Sequence, residues 1–270
     1  MSRILLARRQ LRRLRAGGDW RSYAAGFALV GALVGYSEHR VGQGSVAASD
    51  LASGLASVLV LVVPLAAVAF AADTVAGERE RGRLRLALSL PHDRGAFFEG
   101  TVAGRAGAFA ALAVGAPLAA LAVTLALGSR PDLLAVTLFG CLTALFAAAT
   151  AALVVGISAA AATTNRTLAV SLGGFLGLGA WWSAGPNLLA LALTGSSAMV
   201  YPYPWWATFT ERLTPMGAYE GLVTALGPVG TEAAGEVPLL LSPWVSVAVL
   251  LGWGLLGLAV GRFWFRRAAL

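Results

Sequence analysis

Apolar runs alternate along this chain with short clusters of arginine. Residues 51–72 carry no ionisable side chain. They give way to Asp73, Glu78, Arg79, Glu80, Arg81, Arg83 and Arg85, then to the turn Leu90-Pro91-His92-Asp93-Arg94. A second long apolar run starts at Ala106. A hydrocarbon core of about 30 Å takes about 20 apolar residues in a helix. Six stretches meet or approach that length: 23–36, 51–72, 106–127, 133–162, 168–193 and 244–264. The pattern predicts an all-α membrane protein with six transmembrane helices in a single unit, 1–270. The first stretch is short, with Trp20, Tyr23 and Tyr36 as interface anchors. The fifth is expected to break near Gly185-Pro186-Asn187, because proline removes a helix donor and crowds the preceding turn.

The polar segments set the orientation. With the N-terminus placed inside, every arginine but Arg40, Arg130 and Arg212 falls on the cytoplasmic side. That is the positive-inside pattern of a multi-pass plasma membrane protein. Both termini are then cytoplasmic, and the 194–243 loop is outside. Residues 2–16 place Ile4, Ala7, Leu11 and Leu14 at helical spacing among arginines. This predicts an amphipathic in-plane helix at the lipid headgroups; the plain alternative is a disordered basic tail. The basic start runs into apolar sequence longer than a cleavable signal, so none is expected.

Composition sharpens the class. The 270 residues are 12% charged with a mean hydropathy of +0.75, where a soluble domain carries about 25% charged residues. The net charge of +7 does not indicate nucleic acid, because the arginines lie at the ends of apolar runs. All basic residues other than histidine are arginine, so the chain has no lysine for a Walker A phosphate loop. One cysteine, Cys141, and two histidines, His39 and His92, leave no intrachain disulfide and no Cys/His metal cluster; no metal site is expected. The six stretches hold no interior ionisable residue, the usual mark of proton relays and ion-coupled carriers. A source of energy outside the chain is therefore favoured.

Two loops carry candidate function. In the 73–105 segment, Arg83-Leu84-Arg85-Leu86-Ala87-Leu88-Ser89-Leu90 is too apolar for a solvated linker that merely fixes topology. Strict alternation there would suit a strand, but no partner strand is in view, and a short helix ended by Pro91 is preferred. Exposed leucines flanked by arginines suit a partner's groove. In the outer loop, Trp205, Phe209 and Leu213 share helical spacing beside Trp206. Thr214-Pro215 then reads as an N-cap with proline at the first helical position, ahead of Met216, Tyr219, Leu222 and Val223. This is either an interfacial anchor or a re-entrant lid formed by Trp205, Trp206, Phe209 and Tyr219. Gly31/Gly35, Gly100/Gly104, Gly173/Gly177 and Gly257/Gly261 have the spacing that brings helices close in lipid.

Val63-Pro64-Leu65, the charged run 76–82, Leu84 through Leu90-Pro91, Arg94 and Gly104 together resemble the permease of ABC-2-type transporters. Within it they are most similar to the nitrous-oxide-reductase maturation branch. The family often has Thr at Arg83 and Gly-Lys at Gly100-Thr101. The resemblance implies a permease that pairs with a second copy or a paralogue, and whose only cofactor, ATP, is bound by a partner ATP-binding subunit. It implies that Glu78, Arg79, Glu80, Arg81, Leu84, Leu88 and Pro91 contact that subunit through a cytosolic coupling helix, and that the direction is most often export. The chain itself is then not an enzyme. A non-transporting assembly scaffold and an ion-coupled carrier are the alternatives. Membrane lipid is the expected surrounding, and no nucleic acid is expected.

Overall fold

The computed structural model describes residues 17–82, 94–195, 205–225 and 239–267. Every regular element among them is helical: α1 (Trp20–Val41), α2 (Ala48–Ala71), α3 (Ala76–Glu80), α4 (Arg94–Ala113), α5 (Gly115–Ala126), α6 (Leu133–Ala160), α7 (Thr164–Thr194), α8 (Trp205–Arg212), α9 (Pro215–Thr224), a 3-10 turn (Leu239–Leu241) and α10 (Pro243–Arg267). The 2–16 helix and the stretch holding Leu84, Leu88 and Pro91 lie outside the described residues.

Four helical stretches are long and apolar enough to cross a membrane: Ala48–Glu80, Gly95–Ala126, Leu133–Ala160 and Pro243–Arg267. A fifth is broken, Thr164–Trp182 plus Ala184–Leu193, with a 55° bend. Proline 186 explains the position of the bend. Its ring removes the donor to the carbonyl four residues back, at Trp182, and crowds that turn. The first expected span differs most from expectation. α1 is 22 residues long, about 33 Å, but Arg21, Glu38, His39 and Arg40 sit within its ends and dilute its apolar character. The third also differs: its helix starts at the 94–95 step, well before Ala106. Glu99 and Arg105 therefore lie inside it, and the expectation of spans without interior charge is corrected at this helix.

α6 is the central helix, packed against α10, α4 and α2. It contributes Phe139, Phe146, Val154 and Val155 to the core, opposite Leu51, Leu55, Leu59 and Val63 of α2. α1 lies along α5 instead. Lipid tails are as apolar as leucine, so helices there associate through close packing and small residues. Gly31 and Gly35 face the backbone of Ala116 and Ala120; a Cβ on Gly35 would sit 2.8 Å from the Ala120 carbonyl oxygen. At the α6–α10 crossing, a Cβ on Gly257 would stand 2.6 Å from the carbonyl oxygen of Ala152. At one end of the bundle the α1–α2 and α5–α6 loops are tied: His39 Nδ1 and Ser129 Oγ are 3.0 Å apart, and Ser129 Oγ donates to Gly44 O at 3.1 Å. The charged turn after α2 occupies the opposite end.

Candidate functional site

The chain leaves α2 through the 72–75 turn and re-forms one short helix, α3. Such a break strands backbone donors and acceptors that must be met elsewhere. Ser158 of α6 meets three of them. Its hydroxyl accepts from Val75 N–H at 3.1 Å and Ala76 N–H at 3.0 Å, and donates to Ala72 O at 2.7 Å. Ser158 is fully buried, so the turn is fixed to α6 out of reach of competing solvent.

Arg79 and Glu80 then reach in sequence-distant directions. The Arg79 guanidinium donates to Ala161 O and, at 3.1 Å, to Ala159 O. Those carbonyls lie at the C-terminal end of α6, where the helix dipole favours a cation. The Glu80 carboxylate accepts from Thr164 N–H at 3.1 Å and from Thr164 Oγ1 at 2.7 Å. Thr164 opens α7, and the neighbouring Thr163 hydroxyl caps the same end by accepting from Arg166 N–H at 3.2 Å. An anion is favoured at a helix N-terminus. Two adjacent side chains of opposite charge thus hold the two ends of the α6–α7 junction, each at the pole that suits its sign.

A second layer lies just inside. Arg105 of α4 donates to Phe70 O at 2.6 Å and to Asp73 Oδ1 at 3.1 Å, with its guanidinium carbon 4.5 Å above the Phe70 ring. Arg81 approaches the other Asp73 oxygen at 3.7 Å. Arg105 is therefore a tether between α4 and the end of α2, and these partners explain how its charge is held inside a helix. Glu99 and Arg262 join α4 to α10 through a 2.6 Å bond. Glu78 is half-buried beside these groups. Of the residues read as partner-binding, Glu78, Arg79, Glu80 and Arg81 thus gather at one end of the bundle, while Leu84, Leu88 and Pro91 fall outside the described residues.

The other candidate region is a helical hairpin, α8 and α9. Thr214 caps α9, its hydroxyl accepting from Gly217 N–H at 3.0 Å with Pro215 behind it. Tyr219 is wholly buried. It stacks on Phe146, with ring centroids 4.5 Å apart, and its hydroxyl is 3.0 Å from Thr143 Oγ1. Thr143 lies ten residues into α6, about 15 Å from its start. The hairpin therefore enters the bundle. α8 stays nearer the surface: Trp205 is exposed, while Trp206 and Phe209 are half-buried. Arg212 donates to Leu241 O, and Trp253 Nε1 donates to Leu213 O at 2.9 Å, which joins the hairpin to α10 and the turn before it.

Sequence reasoning missed Ser158, Thr143, Arg105 and Thr164. A hydroxyl within an apolar run was the available signal for the first two. A family model described as ABC-2 family transporter protein matches residues 23–270, almost the whole chain and both regions above. No curated protein matches it.

Proposed function

Because the chain belongs to the ABC-2 family of transporter proteins, we propose that it is the permease of an ATP-driven exporter, working beside a second permease copy or a paralogue. Two ATP-binding subunits supply the hydrolysis that a lysine-free chain cannot perform through a Walker A loop. α1 and the five stretches above make six spans, residues 2–16 form an in-plane helix, and both termini are cytoplasmic. The nitrous-oxide-reductase maturation branch is the subgroup that the 76–91 motif resembles.

One observation carries the mechanism: Arg79 and Glu80 grip the α6–α7 junction. Leu84, Leu88 and Pro91 dock into the ATP-binding subunit. When ATP draws those subunits together, the docked segment moves and the turn carries α6 and α7 with it. Ser158 and Arg105 bring α2 and α4 into the same motion. The shift in access requires only that the partner bind one permease conformation better than the other. The α8–α9 hairpin, with Trp205, Trp206 and Phe209 toward its surface and Tyr219 as its anchor, covers the outer mouth.

The test is co-expression of the chain with an ATP-binding subunit. Wild type should co-purify with it and show vanadate-sensitive ATPase activity. Replacing Leu84 and Leu88 with Asp should release the subunit while the permease stays inserted, since a buried unpaired carboxylate is strongly disfavoured. Unchanged co-purification of the double variant would remove the docking role; absence of ATPase activity with every subunit tried would remove the transporter reading.

A further inference from the structure

A groove of about 480 Å³ runs between α4, α6 and α10. Its walls are alanines, leucines, a valine and a glycine, and its single charged residue is Glu99 at one end. Ala103, Ala149, Ala152 and Gly254 make its floor shallow-chained, and Leu255 stands at its rim, largely exposed. All three walls are candidate membrane spans, long and apolar enough to lie in the hydrocarbon layer. From Glu99 to Ala106 the helix rises about 10 Å, less than half of the roughly 30 Å hydrocarbon layer. The groove thus lies within one leaflet.

The Glu99 end is marked as a membrane boundary by neighbouring residues on α10. Phe263 and Trp264 are exposed and meet edge to face at 5.9 Å, the side chains favoured at headgroup level. Arg266 and Arg267 follow, both exposed, with Arg267 placed 3.9 Å over the Phe263 ring. Arg262 gives one N–H to Glu99 at 2.6 Å, which leaves most of the five donors of a guanidinium. Arg262 at Glu99, with Arg266 one turn further along the same helix, gives this end of the groove basic neighbours.

We infer that this groove is a binding site for one anionic phospholipid, with an acyl chain along Ala103, Ala149 and Gly254 and the phosphate at Arg262 and Arg266. Small residues give a methylene chain its width, and the arginines select the sign of the headgroup. Basic pockets between transmembrane helices are suited to such headgroups. The site depends on the membrane placement of the three helices and not on transport.

The test is native mass spectrometry of the full chain, released from detergent after incubation with phosphatidylglycerol or with phosphatidylcholine of the same chains. Phosphatidylglycerol should be retained severalfold better. Arg266→Gln should lower its retention about fivefold while leaving phosphatidylcholine unchanged. Ala103→Trp, at an exposed wall position, should bring both lipids to background; Leu255→Trp serves if that variant fails to fold. Leu172→Trp on α7, which does not line the groove, should change neither. Equal retention of the two lipids would overturn the site, as would full retention in a folded Ala103→Trp. A change of oligomeric state in that variant with lipid retention intact would make the groove an interface between copies, and would overturn it too.

Discussion

Removing Arg79 isolates the junction grip from everything else the charged turn does. Arg79→Ala deletes the two donors to Ala159 O and Ala161 O. A hydrogen bond to a charged group contributes about 1.5–3 kcal/mol. Here the guanidinium is half-exposed and water can replace part of the loss, so about 2 kcal/mol is a reasonable net figure for the pair. That corresponds to about thirtyfold easier local opening. Hydrogen exchange should show it at the Ala161 amide, which bonds to Ile157 O at 2.8 Å, and at the Thr164 amide held by Glu80. The α2 core around Leu55 and Leu59 should stay protected. Arg79→Lys keeps the charge and so the topology, but an ammonium lacks the planar fork that spans two carbonyls; it should fall between wild type and alanine. Glu80→Gln keeps an acceptor for the Thr164 amide and loses the favourable charge at the α7 N-terminus, worth about 0.3–1 kcal/mol at an exposed site. If this grip conveys motion, substrate moved per ATP hydrolysed, measured in the same proteoliposomes, should fall in the order Glu80→Gln, Arg79→Lys, Arg79→Ala. Unchanged exchange in Arg79→Ala would refute the structural step. Faster exchange with an unchanged flux ratio would refute the mechanical one.

Three further outcomes are expected. Single cysteines at Ser2 and Thr231, in a Cys141→Ser background, should react with an impermeant thiol reagent from opposite sides of the membrane; same-sided labelling ends the six-span arrangement. Tyr219→Phe keeps the stack on Phe146 and loses the bond to Thr143, whose hydroxyl still donates to Phe139 O at 3.0 Å, and should lower thermal stability by about 1 kcal/mol, whereas Tyr219→Ala empties a fully buried site and should cost about 3–5 kcal/mol; equal melting of the two variants would show that the ring does not anchor the hairpin. Gly31→Ala forces a methyl against the Ala116 carbonyl and should destabilise by about 1–3 kcal/mol, while Gly173→Ala has nothing within 4 Å in the chain and should be neutral in the isolated subunit; the reverse ranking would contradict the α1–α5 contact.

The sequence was most legible where one local force decides. Thr214-Pro215 starts α9 because a hydroxyl acceptor and a fixed φ act over three residues. Pro186 bends α7 through its own ring. Gly31 and Gly35 pack closely because the bare backbone leaves room for Ala116 and Ala120. It was least legible where the partner is far along the chain. Arg79 and Glu80 were visible as charges, but their bonds cross 80 to 84 positions, and nothing local distinguishes a side chain that grips a helix end from one that faces water. Ser158 and Thr143 read as interruptions in apolar runs because hydroxyl burial is decided by what lies opposite. The start of the third span was misplaced for a related reason. A span read from its first uncharged residue begins after Arg105, while the helix begins before it, with the guanidinium partnered by Asp73, Phe70 O and the Phe70 face.

That distinction separates two uses of arginine at one end of the bundle. Topology needs only charge near the ends of spans, and charge serves that purpose best when left in water or at the headgroups. Arg266 and Arg267 fit this use, exposed in the last turn of α10. Arg79, Arg105 and Arg262 are instead committed to carbonyls and carboxylates of the chain itself. Each joins two elements: α3 to the end of α6 through Arg79, α4 to the end of α2 through Arg105, and α10 to α4 through Arg262. Asp73 is 44% exposed and keeps Arg81 nearby, so what the loss of Arg105 removes is chiefly its buried hold on the Phe70 carbonyl and ring. Arg105, the most buried of the three, is therefore the tether whose loss should harm folding, and Arg79, half-exposed, is the one whose loss should change coupling first. A turn built from grips of graded strength can move as a body without coming apart.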